Sequence, residues 1–383
     1  MRGPLPSSAR VDLPALTSLR FVAAAMIFVF HLREFSPSPW LYWIAPGMFQ
    51  GVSFFFVLSG FVLTHAYGGG RVSWRHFYLA RIARIAPLHL FCLFLLLLAL
   101  PLPVARGQNL GPAASLASFV LKTTMLDSWA PVRGVLSSWN SVSWSISVEM
   151  AFYATFPVLL FAMTRRPLLT LALTAAVSLG VLAAGVAAGL PVFVVDWDAI
   201  TLVNLGSFFP LARVFEFALG MATCLAWRRW VLPARLPLAA WTAIEAVALA
   251  GAAVWLLVVT PALVTGSSGA VFVWLRASGS CGVFALLLVI FAKGEGRLGR
   301  GLARRPFVAL GEASFAFYLV HVIVMRTLRF DFGARPGTLA ALALSLGLAF
   351  LLHEAVEKPM RRRVLGFAAP RNAKIPAMTA PAG

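Results

Sequence analysis

Arg20 and His31 stand eleven positions apart in the first apolar run of the chain. At about 100° per residue that spacing returns to within about 20° of one helical face, and at about 1.5 Å per residue it covers about 16.5 Å. A neutral imidazole can take a proton or carry a transferred group near pH 7. A guanidinium can grip an anion or steady developing negative charge. Ionisable groups inside an apolar segment cost about 3 kcal/mol each on insertion scales, so both call for a partner or a task. The structural alternative is an interfacial histidine and an arginine that snorkels to the headgroups.

Three further stretches carry polar groups. In RVSWRHFYLARIARIAP, Arg81 and Arg84 are three apart and share a face of a short amphipathic helix expected at the membrane surface. Two guanidiniums there could fork onto the phosphates of a cytosolic donor such as coenzyme A, or simply signal topology and bind headgroups. In SSWNSVSWSISVEMAFY, Glu149 lies one turn from Ser145 and Tyr153. A buried carboxyl there needs a cation or hydrogen bonds, and His31 or an arginine from another helix would serve, for catalysis or as a structural pair. Ser314, Tyr318 and His321, at i, i+4 and i+7, form one polar stripe that either lines a site or glues helices.

The elements that must position these groups are membrane helices. Apolar residues make up 60% of the chain and charged ones 12%, with a mean hydropathy of +0.87. Soluble domains sit near about 45 to 50% and about 25%. Runs of about 20 apolar residues, the length that crosses about 30 Å of hydrocarbon, fall near 14–33, 47–66, 87–104, 139–163, 168–190, 211–227, 238–260, 270–292, 307–328 and 337–357. The expected fold is therefore all-α, a polytopic membrane helical bundle of about ten transmembrane helices. Residues 191–210 read as an outer loop or a partly inserted hairpin, and 106–138 as the longest outer loop.

A net charge of +19 would suggest nucleic acid in a soluble protein, but placement argues otherwise. With both termini cytoplasmic, 22 of the 32 Lys and Arg fall on the inner side, including Arg2, Arg10, Arg71 and Arg235, as the positive-inside tendency requires. Cys92, Cys224 and Cys281 lie in apolar runs without metal-ligand spacing, so no metal site is expected. No small-residue cleavage site follows the first run, which is read as a retained helix. Residues 366–383, rich in Ala and Pro, read as a disordered cytoplasmic tail after one membrane domain over 1–365.

These stretches, in their order, resemble the acyltransferase-3 family of integral membrane proteins. LTSLRFVAAAMIFVFH resembles the family's first helix, with its arginine and histidine at Arg20 and His31. GVSFFFVLSGF resembles the second helix, and FYLARIARIAPLH the R-x-x-R segment at Arg81 and Arg84. WSISVEMAFY resembles the motif supplying Glu149, SFAFYLVH the late Y-L-x-H stretch, and VEKPMRR the closing motif at Glu357, Lys358 and Pro359. Thr17 and Ser18 stand where the family often has Asp-Gly, a departure that bears on subfamily.

The resemblance implies a multi-pass enzyme of the cell membrane, without the extra helix and outer esterase-like domain of some members. It would move an acyl group, acetyl by default, from acyl-CoA to a hydroxyl of a carbohydrate or glycosylated acceptor, with acyl-CoA as co-substrate and no tightly bound cofactor. It implies His31 as base or acyl carrier, Arg81 and Arg84 as donor anchors, Arg20 as a grip on the donor or a group that steadies developing charge, and Glu149 as a carboxylate that orients His31 or holds helices together. Two other classes compete. A proton-coupled transporter of a small polar solute would use the same stripe, but paired repeats and matching interrupted helices are not found. A membrane scaffold leaves the Arg20 and His31 stripe unexplained.

Overall fold

A computed structural model describes residues 12–35, 38–70, 72–106, 112–229, 236–266, 269–332 and 337–368. Arg2, Arg10, Arg71, Arg235 and residues 369–383 of the expected tail lie outside them. Among the described residues there are ten helices long and apolar enough to cross a membrane. In chain order these spans are Pro14–Phe35, Pro39–Tyr67, Trp74–Ala99, Ser141–Arg165, Pro167–Ala187, Leu202–Arg229, Leu238–Gly266, Gly269–Lys293, Arg305–Arg329 and Thr338–Gly366. No strand forms among them beyond one isolated antiparallel bridge, Val132 to Ile200.

The third span differs most from its expected form. A surface helix was expected up to Pro87, with the span beginning there, because proline usually marks a boundary. Instead one helix runs from Trp74 to Ala99 with Pro87 inside it, capped at its start by Ser73, whose side chain accepts from the His76 backbone N–H. Proline removes one backbone bond, and membrane helices tolerate that loss when neighbours compensate. The consequence is functional, since Arg81 and Arg84 sit within a membrane-length helix. The second span also starts earlier than expected, and the sixth gains Leu202–Phe208, with Thr201 accepting from the Asn204 N–H at 3.1 Å. Phe209 is extended before Pro210, as a residue preceding proline prefers, and the helix resumes at once.

Two wide π turns, 255–259 and 353–357, each stand two residues before a proline, Pro261 and Pro359. The proline ring would meet the carbonyl four residues earlier, at Leu257 and Ala355, and the wider turn relieves that clash. The second of these turns holds His353, whose Nδ1 lies 2.8 Å from Glu357, and it packs against the third span.

Small residues set the helix spacing. A Cβ on Gly220 would stand 1.9 Å from the Val57 carbonyl oxygen, and one on Gly60 would stand 2.0 Å from that of Phe217, so the second and sixth spans touch backbone to backbone. Gly311 brings the ninth span equally close to Thr17 of the first. Because backbone cannot swing aside, Gly220→Leu is expected to part the second and sixth spans. Even alanine should cost about 1 to 3 kcal/mol. Gel filtration and thermal denaturation in detergent check this. A monodisperse leucine variant with the parent's melting temperature would contradict it.

Among the described residues two ion pairs are fully buried. Lys122 meets Asp127 at 2.6 Å and the Leu136 carbonyl at 3.1 Å, while the ring of His89 bonds the Lys122 carbonyl, tying the 112–123 helix to the third span. Arg213 meets Glu216 at 3.0 Å across one turn, and Ser278 of the eighth span donates to the same carboxylate.

Candidate active site

Two cavities open inside the bundle, at different depths along the first helix. The smaller, about 780 Å³ with its mouth included, is lined by Arg20, Ser59, Arg81, Arg84, Ser145, Glu149, Tyr153, Ser314 and Tyr318, with Val52, Phe55 and Phe56 among its apolar walls. The larger, about 2740 Å³ with its mouth included, contains His31 and is bordered by Arg33, Glu34, Arg133, Trp144, Trp197 and Arg276. Val52 and Tyr318 belong to both linings. Arg20 and His31 therefore both face the interior, as the eleven-residue spacing predicts, but each serves its own chamber.

In the smaller cavity one carboxylate faces three guanidiniums. Glu149 accepts from the Tyr153 hydroxyl one turn on and from Ser59 at 3.3 Å. None of Arg20, Arg81 or Arg84 comes within 4.0 Å of it as an ion pair among the described residues. The Arg81 guanidinium lies over the rings of Tyr153 and Phe77, at 5.8 and 5.9 Å, and its Nε is buried without a partner. Surplus positive charge in a cavity of low dielectric makes a site for an anion.

The sequence asks for a cation or hydrogen bonds at Glu149, with His31 or an arginine as candidate cations; the carboxylate takes hydrogen bonds, from Tyr153 and Ser59, and His31 lies in the other chamber. Tyr318, on the polar stripe of the ninth span, donates to the Val142 carbonyl at 2.9 Å and meets Ser145 Oγ at 2.8 Å. Ser314 donates to the Gly311 carbonyl in its own helix at 2.6 Å and lines the smaller cavity. The stripe thus both joins helices and lines the site.

His321 is the partner that His31 finds. Its Nε2 lies 3.1 Å from His31 Nδ1, and its own Nδ1 lies 3.2 Å from the Phe317 carbonyl. His31 Nδ1 also lies 3.0 Å from the Ile27 carbonyl. A carbonyl only accepts, so in the neutral tautomer with hydrogen on each Nδ1 the single Nδ1–H of His31 is shared between the Ile27 carbonyl and His321 Nε2. That assignment leaves Nε2 of His31 as its unprotonated nitrogen. Phe30 packs edge-on against the His31 ring and Phe317 stacks on that of His321, which fixes both rings.

Sequence reasoning named His321 only as part of a stripe and gave no hint of its 290-residue reach to His31. It also missed Ser59, which lies inside the GVSFFFVLSGF stretch, and the arginines of the larger chamber. The one available signal for these was that Arg33, Arg133, Arg276, Arg326 and Arg329 fall outside the inner set of basic residues in the topology expected from the sequence.

The described residues form a bundle of ten membrane-length helices with an imidazole and an arginine cavity in its interior, and the chain matches the acyltransferase domain family across residues 13–354. It belongs to that acyltransferase-3 family and is a multi-pass membrane acyltransferase. It is 30% identical over 385 residues to the acyltransferase MdmB of Streptomyces mycarofaciens, covering 92% of each chain. It is 27% identical over 381 residues to the putative peptidoglycan O-acetyltransferase YrhL of Bacillus subtilis strain 168, covering 91% of this chain and 55% of that one. Protein 2 in the picA locus of Rhizobium radiobacter is 32% identical over 156 residues, 37% of this chain and 78% of that one. No solved structure matches the chain.

Proposed function

We propose that the chain moves an acyl group, acetyl in the simplest case, from cytosolic acyl-CoA to a hydroxyl of a carbohydrate or glycosylated acceptor. The observation that carries this reading is a histidine with a free Nε2 in a large cleft that shares a wall, Val52 and Tyr318, with a cavity of three arginines. Both termini are cytoplasmic in this reading, so the arginine cavity lies in the inner half and His31 in the outer half. The smaller cavity is the donor side, where Arg81, Arg84 and Arg20 meet the donor's phosphates and Glu149 holds Tyr153 and limits their repulsion.

The acyl thioester then reaches past Tyr318 towards His31. The acceptor hydroxyl gives its proton to His31 Nε2 as its oxygen bonds to the thioester carbonyl carbon. The C–S bond breaks next, and the imidazolium returns the proton to the departing thiolate. His321 is a positioning residue here, because accepting from Nδ1–H keeps the basic lone pair on Nε2 and supports the imidazolium formed.

His321 variants in proteoliposomes, supplied with labelled acetyl-CoA and a glycan acceptor, test the proposal. His321→Ala is expected to lower kcat by about 10- to 100-fold, the usual cost of losing an orienting partner, with the KM for acetyl-CoA unchanged. His321→Gln, whose amide oxygen can accept the same hydrogen bond, should recover most of the rate. Equal loss in both variants, or a loss confined to KM, would count against the arrangement. Accumulation of unmodified solute in sealed vesicles, with no covalent transfer, would replace it with transport.

A further inference from the structure

The larger cleft carries more positive charge than its own residues balance. Arg33, Arg133, Arg276 and Arg329 line it, and Glu34 is its one carboxylate. Among the described residues no carboxylate comes within 4.0 Å of any of these four guanidiniums. Arg326 lines the cleft too, but its donors go to the carbonyls of Trp139, Val104 and Ala105, so it clamps the rim.

The four are held up by aromatic faces. Arg33 lies 3.8 Å over Phe30, Arg133 lies 4.4 Å over Trp197, Arg276 lies 5.6 Å over Phe49 and Arg329 lies 5.9 Å over Phe35. A ring face attracts a guanidinium but accepts few of its hydrogen bonds; Arg133 and Arg329 each also give one long bond to a carbonyl, of Val195 at 3.4 Å and of Glu34 at 3.3 Å, which leaves the other donors of each fork for a further partner. Arg276 Nε is buried with no partner at all. Arg329 is exposed and Arg33 and Arg133 are half-buried, whereas Arg276, with a buried Nε that has no partner, is a costly choice for packing alone.

From these observations, and resting on the acyl-transfer reading above, we infer that the acceptor is an anion: a glycan or glycosylated molecule bearing a carboxylate or phosphate, held by Arg133 and Arg276 while its hydroxyl meets His31. Trp197, half-buried beside Arg133, lines the same cleft and offers apolar surface for a sugar ring. The surplus of arginine selects the charged acceptor over its neutral counterpart, and the indole orients it.

The test uses the full chain in nanodiscs of phosphatidylcholine. Glucose, glucuronate and glucose 1-phosphate are titrated while intrinsic tryptophan fluorescence is read, and acetyl-CoA binding is measured separately. Both anions are expected to bind at least about tenfold tighter than glucose, as charge-assisted bonds to guanidinium should give, and raised salt should erode that margin. Arg133→Gln and Arg276→Gln should each remove most of the margin, Arg133→Lys should keep part of it, and acetyl-CoA should bind all of them as it binds the parent.

Equal binding of glucose and the anions, or no binding of either anion at millimolar concentration, overturns the inference and leaves acyl transfer standing. Loss of acetyl-CoA binding in the glutamine variants overturns it in another way, by assigning these arginines to the donor's phosphates. Phosphatidylglycerol nanodiscs provide the last arm. If that lipid abolishes the margin for glucuronate and glucose 1-phosphate, the anion of the cleft is a headgroup and the inference fails.

Discussion

His31→Ala is expected to abolish acyl transfer in a reconstituted assay with labelled acetyl-CoA, while the variant inserts and folds as the parent does. The drop should be at least about a hundredfold, because proton transfer by a placed base contributes about 10²- to 10⁴-fold. The ring is removed from a cleft and not from a packed core, so its loss leaves no dry void to collapse. Phe30 and Phe317 keep their other ring contacts, with Phe49 and Phe28 respectively. Binding of acetyl-CoA, held by the arginine cavity across the Val52 and Tyr318 wall, should be unchanged. The two chambers therefore predict a separation of kcat from donor affinity. Near-normal acylation by the variant would refute the assignment, and a variant that no longer binds acetyl-CoA would refute the division of labour between the cavities.

Glu216→Ala should produce the largest loss of stability in the molecule. Glu216 and Arg213 have no exposed side-chain surface, and their 3.0 Å contact is made within one turn of the sixth span. Breaking a buried pair from one side costs about 3 to 5 kcal/mol, because the remaining charge is stranded. Arg213 is poorly placed to absorb that loss. Its Nε and Nη1 already have no partner, and its other support is the face of Phe56 at 5.2 Å. An arginine also cannot shed its proton as a buried lysine can. Removing Glu216 further frees the Ser278 hydroxyl, so the contact between the sixth and eighth spans weakens too.

Thermal denaturation in detergent, read by gel filtration, should show the alanine variant melting well below the parent or failing to accumulate. The double variant Arg213→Leu with Glu216→Leu should recover much of the difference, since two apolar side chains remove both desolvation costs. A single variant as stable as the parent would mean that water reaches the pair. A double variant no better than the single would mean that the pair's geometry, and not its charge, holds the spans together.

Much of this protein can be read along the chain. Hydropathy runs count ten spans because a helix must bury its own backbone bonds in hydrocarbon, and that rule acts on each segment alone. The eleven-residue interval fixes Arg20 and His31 on one face for the same reason, since helical period is a local property. The order of the motifs points to the acyltransferase-3 family, which the match over residues 13–354 bears out. The expected span opening at Pro87 differs from the structure because a proline there stands inside a helix without ending it.

Partner choice belongs to the tertiary structure. Which polar group meets which depends on how far each helix is rotated and how closely it crosses its neighbours, and glycine contacts at Gly60, Gly220 and Gly311 set those distances. Folding thus gives Glu149 to Tyr153 and Ser59, joins His31 to His321, and gathers Arg33, Arg133, Arg276 and Arg329 from four separated segments into one cleft. The Tyr153 contact is legible as a spacing of one helical turn, but no spacing along the chain encodes the other meetings, because each pairs groups whose relative position is set by packing between helices and not by the geometry within one.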